Sequence, residues 1–149
     1  LQVVRLLLLR RDAKMTFPLL TAKLQTLRPG QVKEAWLADV CNKLDTKIFK
    51  EIILTHEHSP HVKRPHYTVK DVTTDRKLLA EDGYDDVYMW WCCMEIDLQY
   101  GDMNRYAVSR SLFNDAYTDM AARWTRTHMP LSATDDDTGS VHPVLGVLV

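Results

Sequence analysis

The chain has 149 residues, 46% hydrophobic and 26% charged, with nineteen basic against twenty acidic side chains. A chain of this length can bury roughly two thirds of its unfolded surface, so one domain over 1–149 is expected, and the composition excludes the disordered, collagen-like and membrane-spanning classes. A net charge of −1 provides no global positive field, so nucleic acid is not expected as a partner.

Residues 1–14 carry Arg5, Arg10, Arg11 and Lys14 against Asp12 alone, around the short apolar run Leu6 to Leu9. That run is too short to cross a bilayer. The pattern suits a targeting or docking segment, such as a mitochondrial address or an amphipathic surface helix. An ordinary core helix with snorkelling arginines, or a start at Met15, would also account for it.

Pro18 stands at the opening of a helix expected over about 18–28, with Leu19, Leu20, Leu24 and Leu27 on one face and Pro29-Gly30 as its stop. Val32, Trp36, Leu37, Val40, Cys41 and Leu44 recur at steps of three and four and predict a second helix. Asp45 or Thr46 is positioned to cap a further short helix through Ile48, Phe49, Ile52 and Ile53, although Glu51 to Leu54 would also serve as a strand.

Ser59 to Lys70, with Pro60, Pro65, His61 and His66, reads as a surface loop. A short helix capped by Thr74 or Asp75 is expected through Leu78 and Leu79 to Gly83. Val87 to Met94 is continuously apolar and fits a buried helix or a buried strand. The acidic start at Asp85 and Asp86 and the continuation to Tyr100 favour the helix.

The strongest periodicity runs from about Asp102 to His128, where Tyr106, Phe113, Tyr117, Met120 and Trp124 repeat at helical steps until Pro130. Residues 131–149 read as an extended tail, acidic at Asp135 to Asp137 and apolar from Val141 to Val149. The expected fold class is therefore mostly α: an irregular domain of about five helices with a long C-terminal helix and an apolar tail.

At Ile53-Leu54-Thr55-His56-Glu57-His58-Ser59-Pro60-His61 the chain resembles the metallo-β-lactamase fold family, in which an apolar strand leads into Thr-His-x-His-x-Asp-His. The resemblance implies a zinc site with His56, His58 and His61 as ligands, because imidazoles on one sharp loop hold Zn²⁺ and leave a position for an activated water. Pro60 replaces the family's aspartate and can neither bind metal nor handle a proton. The similarity covers about ten residues, and the helices expected before His56 depart from that family's αββα sandwich.

Other chemistry is sparse. The three cysteines, Cys41, Cys92 and Cys93, form no Cys-x-x-Cys pair and are expected to be reduced and buried. None of the five glycines falls in a phosphate-loop pattern. Lys63-Arg64 beside His61, His66 and Tyr67 makes a small basic patch with an aromatic that could contact phosphate but is read as a solvated loop, and Trp90-Trp91 is read as core rather than as a pocket wall.

These readings lead to a non-catalytic accessory or structural subunit of a larger assembly, intracellular and of mitochondrial, respiratory-chain type. Its expected partners are other protein subunits. No transmembrane span is expected, peripheral membrane contact is compatible with the basic start, and no cofactor is expected. The alternative is a degenerate metallo-β-lactamase-like zinc-binding hydrolase relative, the one reading in which zinc enters.

Overall fold

A computed structural model describes residues 14–80 and 83–131; the docking segment expected at 1–14 and the tail expected at 131–149 lie, apart from Lys14 and Leu131, outside the described residues. Helix α1 spans Phe17–Leu27 and buries Phe17, Leu19, Leu20 and Leu24. Pro18 sits in its first turn, where a missing N–H leaves no bond unmade. The helix closes with the Arg28 N–H on the Leu24 carbonyl at 2.7 Å, followed by Pro29 and by Gly30 at φ +73°, the left-handed conformation that glycine adopts without strain.

Helix α2, Glu34–Ile48, buries Leu37, Ala38, Val40, Cys41, Leu44, Asp45 and Ile48. Here the structure corrects the expected break. No new helix is capped at Asp45 or Thr46; α2 continues into a π-helical turn over Phe49–Ile53, which buries Ile52 and Ile53. Asp45 does not cap because its carboxylate points into the core and is occupied by tertiary partners, leaving the helix backbone uninterrupted.

The loop expected from Ser59 is present, and it ends in a short 3₁₀ helix at Val69–Thr73 whose start is tied by the Thr68 N–H donating to the Asp71 carboxylate at 2.8 Å. The helix expected from Thr74 to Gly83 is absent from the described residues of that stretch. The backbone groups that would have built it bond elsewhere: Leu78 N–H donates to the Met15 carbonyl at 2.9 Å, within an isolated antiparallel bridge between Thr16 and Lys77. Leu79 and Ala80 donate to the side chains of Asp45 and Tyr88.

Helix α3, Asp85–Gln99, resolves the helix-or-strand ambiguity in favour of helix. Val87, Tyr88, Cys92, Cys93, Met94, Ile96 and Asp97 are buried, and these positions point in nearly every direction around the axis. A helix with buried positions all round is a central one, and α1, α2 and α4 pack around it.

Helix α4, Met103–Thr127, lies along α3 in the most extensive helix pairing of the fold. The Asp102 side chain caps it by accepting from Arg105 N–H at 3.1 Å. It contributes Ser109, Phe113 and Met120 to the interior and leaves much of its remaining surface exposed. Beyond it the chain turns back so that Glu57 N–H meets the Met129 carbonyl at 2.7 Å and Leu131 N–H meets the Thr55 carbonyl at 2.9 Å. The described residues thus form four α-helices with two short helical turns, rather than about five helices, and no strand beyond isolated bridges.

Candidate functional site

The histidine loop was the first place where chemistry was expected. His56 and His58 are half-buried, whereas His61 and His66 are exposed. The His56 ring is engaged at both nitrogens: Nδ1 lies 2.9 Å from the Ile52 carbonyl oxygen and Nε2 lies 3.3 Å from Thr125 Oγ1. His58 Nδ1 lies 2.8 Å from the His56 carbonyl oxygen. These contacts tie the loop to the end of the π-helical turn and to α4. Both Nδ1 atoms face carbonyl oxygens and so carry the ring proton, which leaves the His58 Nε2 lone pair unengaged.

Among the described residues, no three His, Cys, Asp or Glu side chains are grouped so as to hold a metal ion. The described residues also include no strands of the sandwich implied by the Thr55 to His61 resemblance. Protein purified without chelators is therefore expected to contain well below about one zinc per chain. Elemental analysis checks this, and stoichiometric zinc that disappears in His58→Ala would instead assign His56, His58 and His61 as ligands.

Two buried carboxylates form the polar centres of the molecule. Asp45 is completely buried. Its Oδ2 accepts from Tyr67 Oη at 2.5 Å and from Leu79 N–H at 3.2 Å, and its Oδ1 accepts from Tyr88 Oη at 2.6 Å. Tyr88 Oη accepts in turn from Ala80 N–H at 2.8 Å. Burial raises the Asp45 carboxyl above its ordinary value, against the hydrogen bonds from Tyr67, Tyr88 and Leu79 and the attraction of Lys14, all of which favour the charged form. Burial and the neighbouring carboxylate push both phenols up as well, so they remain donors.

Asn42, three residues before Asp45 on α2, holds the same loop by its backbone. Its Nδ2 donates to the Tyr67 carbonyl at 2.8 Å and its Oδ1 accepts from Tyr67 N–H at 2.7 Å. One turn of α2 thus fixes the loop at Tyr67 and, through Asp45, the segment at Leu79. The polar atoms of this cluster bond to one another, with the buried Cys41 thiol beside them.

The second centre is Asp97 on α3, 2% exposed. Its carboxylate receives Arg28 Nε at 2.8 Å, Arg28 Nη2 at 3.0 Å and Ser109 Oγ at 2.8 Å. Burial opposes ionisation here too, but the bidentate guanidinium and the hydroxyl outweigh it and hold the carboxyl below its ordinary value. Arg28 closes α1, so this single ion pair joins α1, α3 and α4.

The remaining candidates are packing groups. Cys41, Cys92 and Cys93 are buried free thiols, and burial pushes Cys93 up to about 12, which suppresses the thiolate required for reactivity. Trp91 is core: its Nε1 donates to the Val40 carbonyl at 3.0 Å, and its ring meets Phe113 at 5.0 Å between centroids. Trp90 also packs against the core, and its outer side lines an open groove with Arg28, Asn104, Arg105, Val108 and Ser109. A small apolar cleft lies between the π-helical turn and α4, walled by Ile52, Ile53, Met120 and Trp124.

Comparison with known proteins gives no matching family model, no matching curated protein and no matching solved structure.

Proposed function

We propose that the protein is a non-catalytic accessory subunit of a larger assembly, intracellular and of mitochondrial, respiratory-chain type. The observation that supports it is the distribution of exposed apolar side chains. Leu98, Tyr100, Met103, Val108 and Leu112 are all exposed, with Val108 at 60% and Met103 at 57%. They fall within one stretch that turns the corner from α3 into α4. Val108 also borders the groove that presents Trp90 and Arg105. Exposed apolar residues concentrated in one stretch, next to a tryptophan and an arginine, suit a protein interface. The ionisable clusters supply no competing chemistry, because their polar atoms are spent on one another.

The test is the native mass of the protein in a gentle extract. Migration far above 17.3 kDa with a constant set of companions is expected, and the double variant Val108→Lys/Leu112→Lys should free the chain from them while leaving its melting temperature nearly unchanged. Migration of the unmodified protein as a free monomer would overturn the proposal.

None of the helices among the described residues is long and apolar enough to cross a membrane. The assembly would therefore hold these helices at its surface or between other subunits.

A further inference from the structure

The exposed loop on the α2 side of the molecule is basic. From His58 to Lys70 there is no acidic residue, while Lys63, Arg64 and Lys70 are present with His58, His61 and His66. Lys63, Arg64, His66 and Lys70 are all exposed.

The fold brings further cations to the same place. Arg76 Nη1 donates to the His66 carbonyl at 2.8 Å, and its guanidinium lies over the Tyr67 ring, 4.7 Å from the centroid. Lys77 is bridged to Thr16, and Leu78 N–H to the Met15 carbonyl. Phe17 meets Tyr67 edge-on at 5.1 Å. The loop and the point where the chain enters α1 are therefore one face.

Lys14, Lys63, Arg64, Lys70, Arg76 and Lys77 supply six cations there, against Asp71, which Arg76 pairs at 2.9 Å, and Asp75. Elsewhere the chain carries thirteen cations against eighteen carboxylates. The charge is segregated rather than mixed, and the backbone that presents it is held by Asn42, Asp45 and the Thr68–Asp71 cap.

We propose that this face docks on an anionic phospholipid bilayer surface. Two features favour lipid over other polyanions. In sequence, Lys14 follows Leu6 to Leu9 set between Arg5 and Arg10-Arg11, a composition that combines side chains favouring the acyl boundary with side chains favouring headgroups. Val69, beside Lys70, is 57% exposed. Recognition of single-stranded RNA would call for an exposed aromatic on which bases stack. No Trp or Phe lies between His58 and Lys77, and the one Tyr, Tyr67, is 2% exposed and committed to Asp45, so the exposed imidazoles of His61 and His66 are the stacking rings on this face. The inference does not depend on the subunit reading, which rests on the α3–α4 corner.

The experiment is co-sedimentation of the full chain with vesicles of phosphatidylcholine alone and of phosphatidylcholine with phosphatidylglycerol. Binding is expected only to the anionic vesicles and is expected to be lost at high salt, because screening shortens the reach of surface charge. Each cation removed near the surface should weaken binding by roughly fivefold. The exposed triple variant Lys63→Glu/Arg64→Glu/Lys70→Glu should therefore fall by at least about a hundredfold while keeping its circular dichroism and melting temperature. Reversing Arg110, Arg123 and Arg126 on α4 should have a much smaller effect.

Equal binding to neutral vesicles, no binding to anionic vesicles at low salt, or full binding by the folded triple variant would each overturn the proposal. So would displacement from the vesicles by millimolar inorganic phosphate, or tighter binding to single-stranded RNA through the same cations, which would make the face a phosphate or nucleic-acid site.

Discussion

Asp45→Ala is expected to lower folding stability by about 4 kcal/mol, because it leaves two phenolic hydroxyls and the Leu79 N–H without their acceptor in a site closed to water. In a chain of this size that corresponds to roughly 12 °C in Tm. Tyr67→Phe and Tyr88→Phe each remove one donor and should cost about 1 to 2 kcal/mol, the second more than the first because it also strands Ala80 N–H. Urea unfolding of the three variants checks the order. A loss below about 1 kcal/mol for Asp45→Ala would mean that the cluster relaxes or admits water.

The pH dependence follows from the direction of the shift. Asp45 is raised above its ordinary 3.8, so the folded state holds the proton more tightly than the unfolded one. Its contribution is complete below pH 3.8 and declines as pH rises through the raised folded value. Asp45→Asn should remove that decline.

Breaking the Arg28–Asp97 pair is the second large effect. Arg28→Ala leaves a buried carboxylate with Ser109 as its remaining side-chain donor, and about 3 kcal/mol of destabilisation is expected. Replacing both partners, Arg28→Met with Asp97→Leu, should recover most of the loss, since the desolvation cost of the two charges goes with them. Denaturant titration of the single and double variants completes the cycle. If the double variant is as unstable as Arg28→Ala, the pair is needed for its shape rather than its charge.

Asp97 has the opposite pH sign to Asp45. Its folded value lies below 3.8, so its contribution is present above that pH and is lost as pH falls through the depressed value. Acid unfolding of Asp97→Asn should accordingly be shallower below about pH 4.

Local sequence carried the helices well where periodicity and stops agreed. Pro18 and Pro29-Gly30 bracket α1, and the aromatic steps from Tyr106 to Trp124 with Pro130 beyond them mark α4. It failed where a backbone or side-chain group had a distant partner. Asp45 reads as a cap because an aspartate after an apolar stripe usually is one, yet it lies four residues beyond Cys41 and eight beyond Leu37, on the stripe itself. A carboxylate on a buried face was the available sign that it needed donors.

The partners, Tyr67 and Tyr88, lie 22 and 43 residues away, and nothing local connects them. The missing helix after Thr74 has the same cause, since its N–H groups answer to Met15, Asp45 and Tyr88. Arg28 marked only the end of α1, and its link to Asp97 spans 69 residues. In the candidate site, the clustering of His56, His58 and His61 was visible in the sequence. The engagement of His56 and His58 by Ile52, Thr125 and the His56 carbonyl was not.

The hold that Asp45 and Tyr88 exert on Leu79 and Ala80 also affects hydrogen exchange. Both amides lie outside every helix and would ordinarily exchange within the open time of a surface loop. Their acceptors sit in the centre of the core, on α2 and α3, so deuterium should reach them only when those two helices separate. Leu79 and Ala80 are thus expected to exchange as slowly as the interior of α3, making an irregular stretch of backbone a reporter of global unfolding.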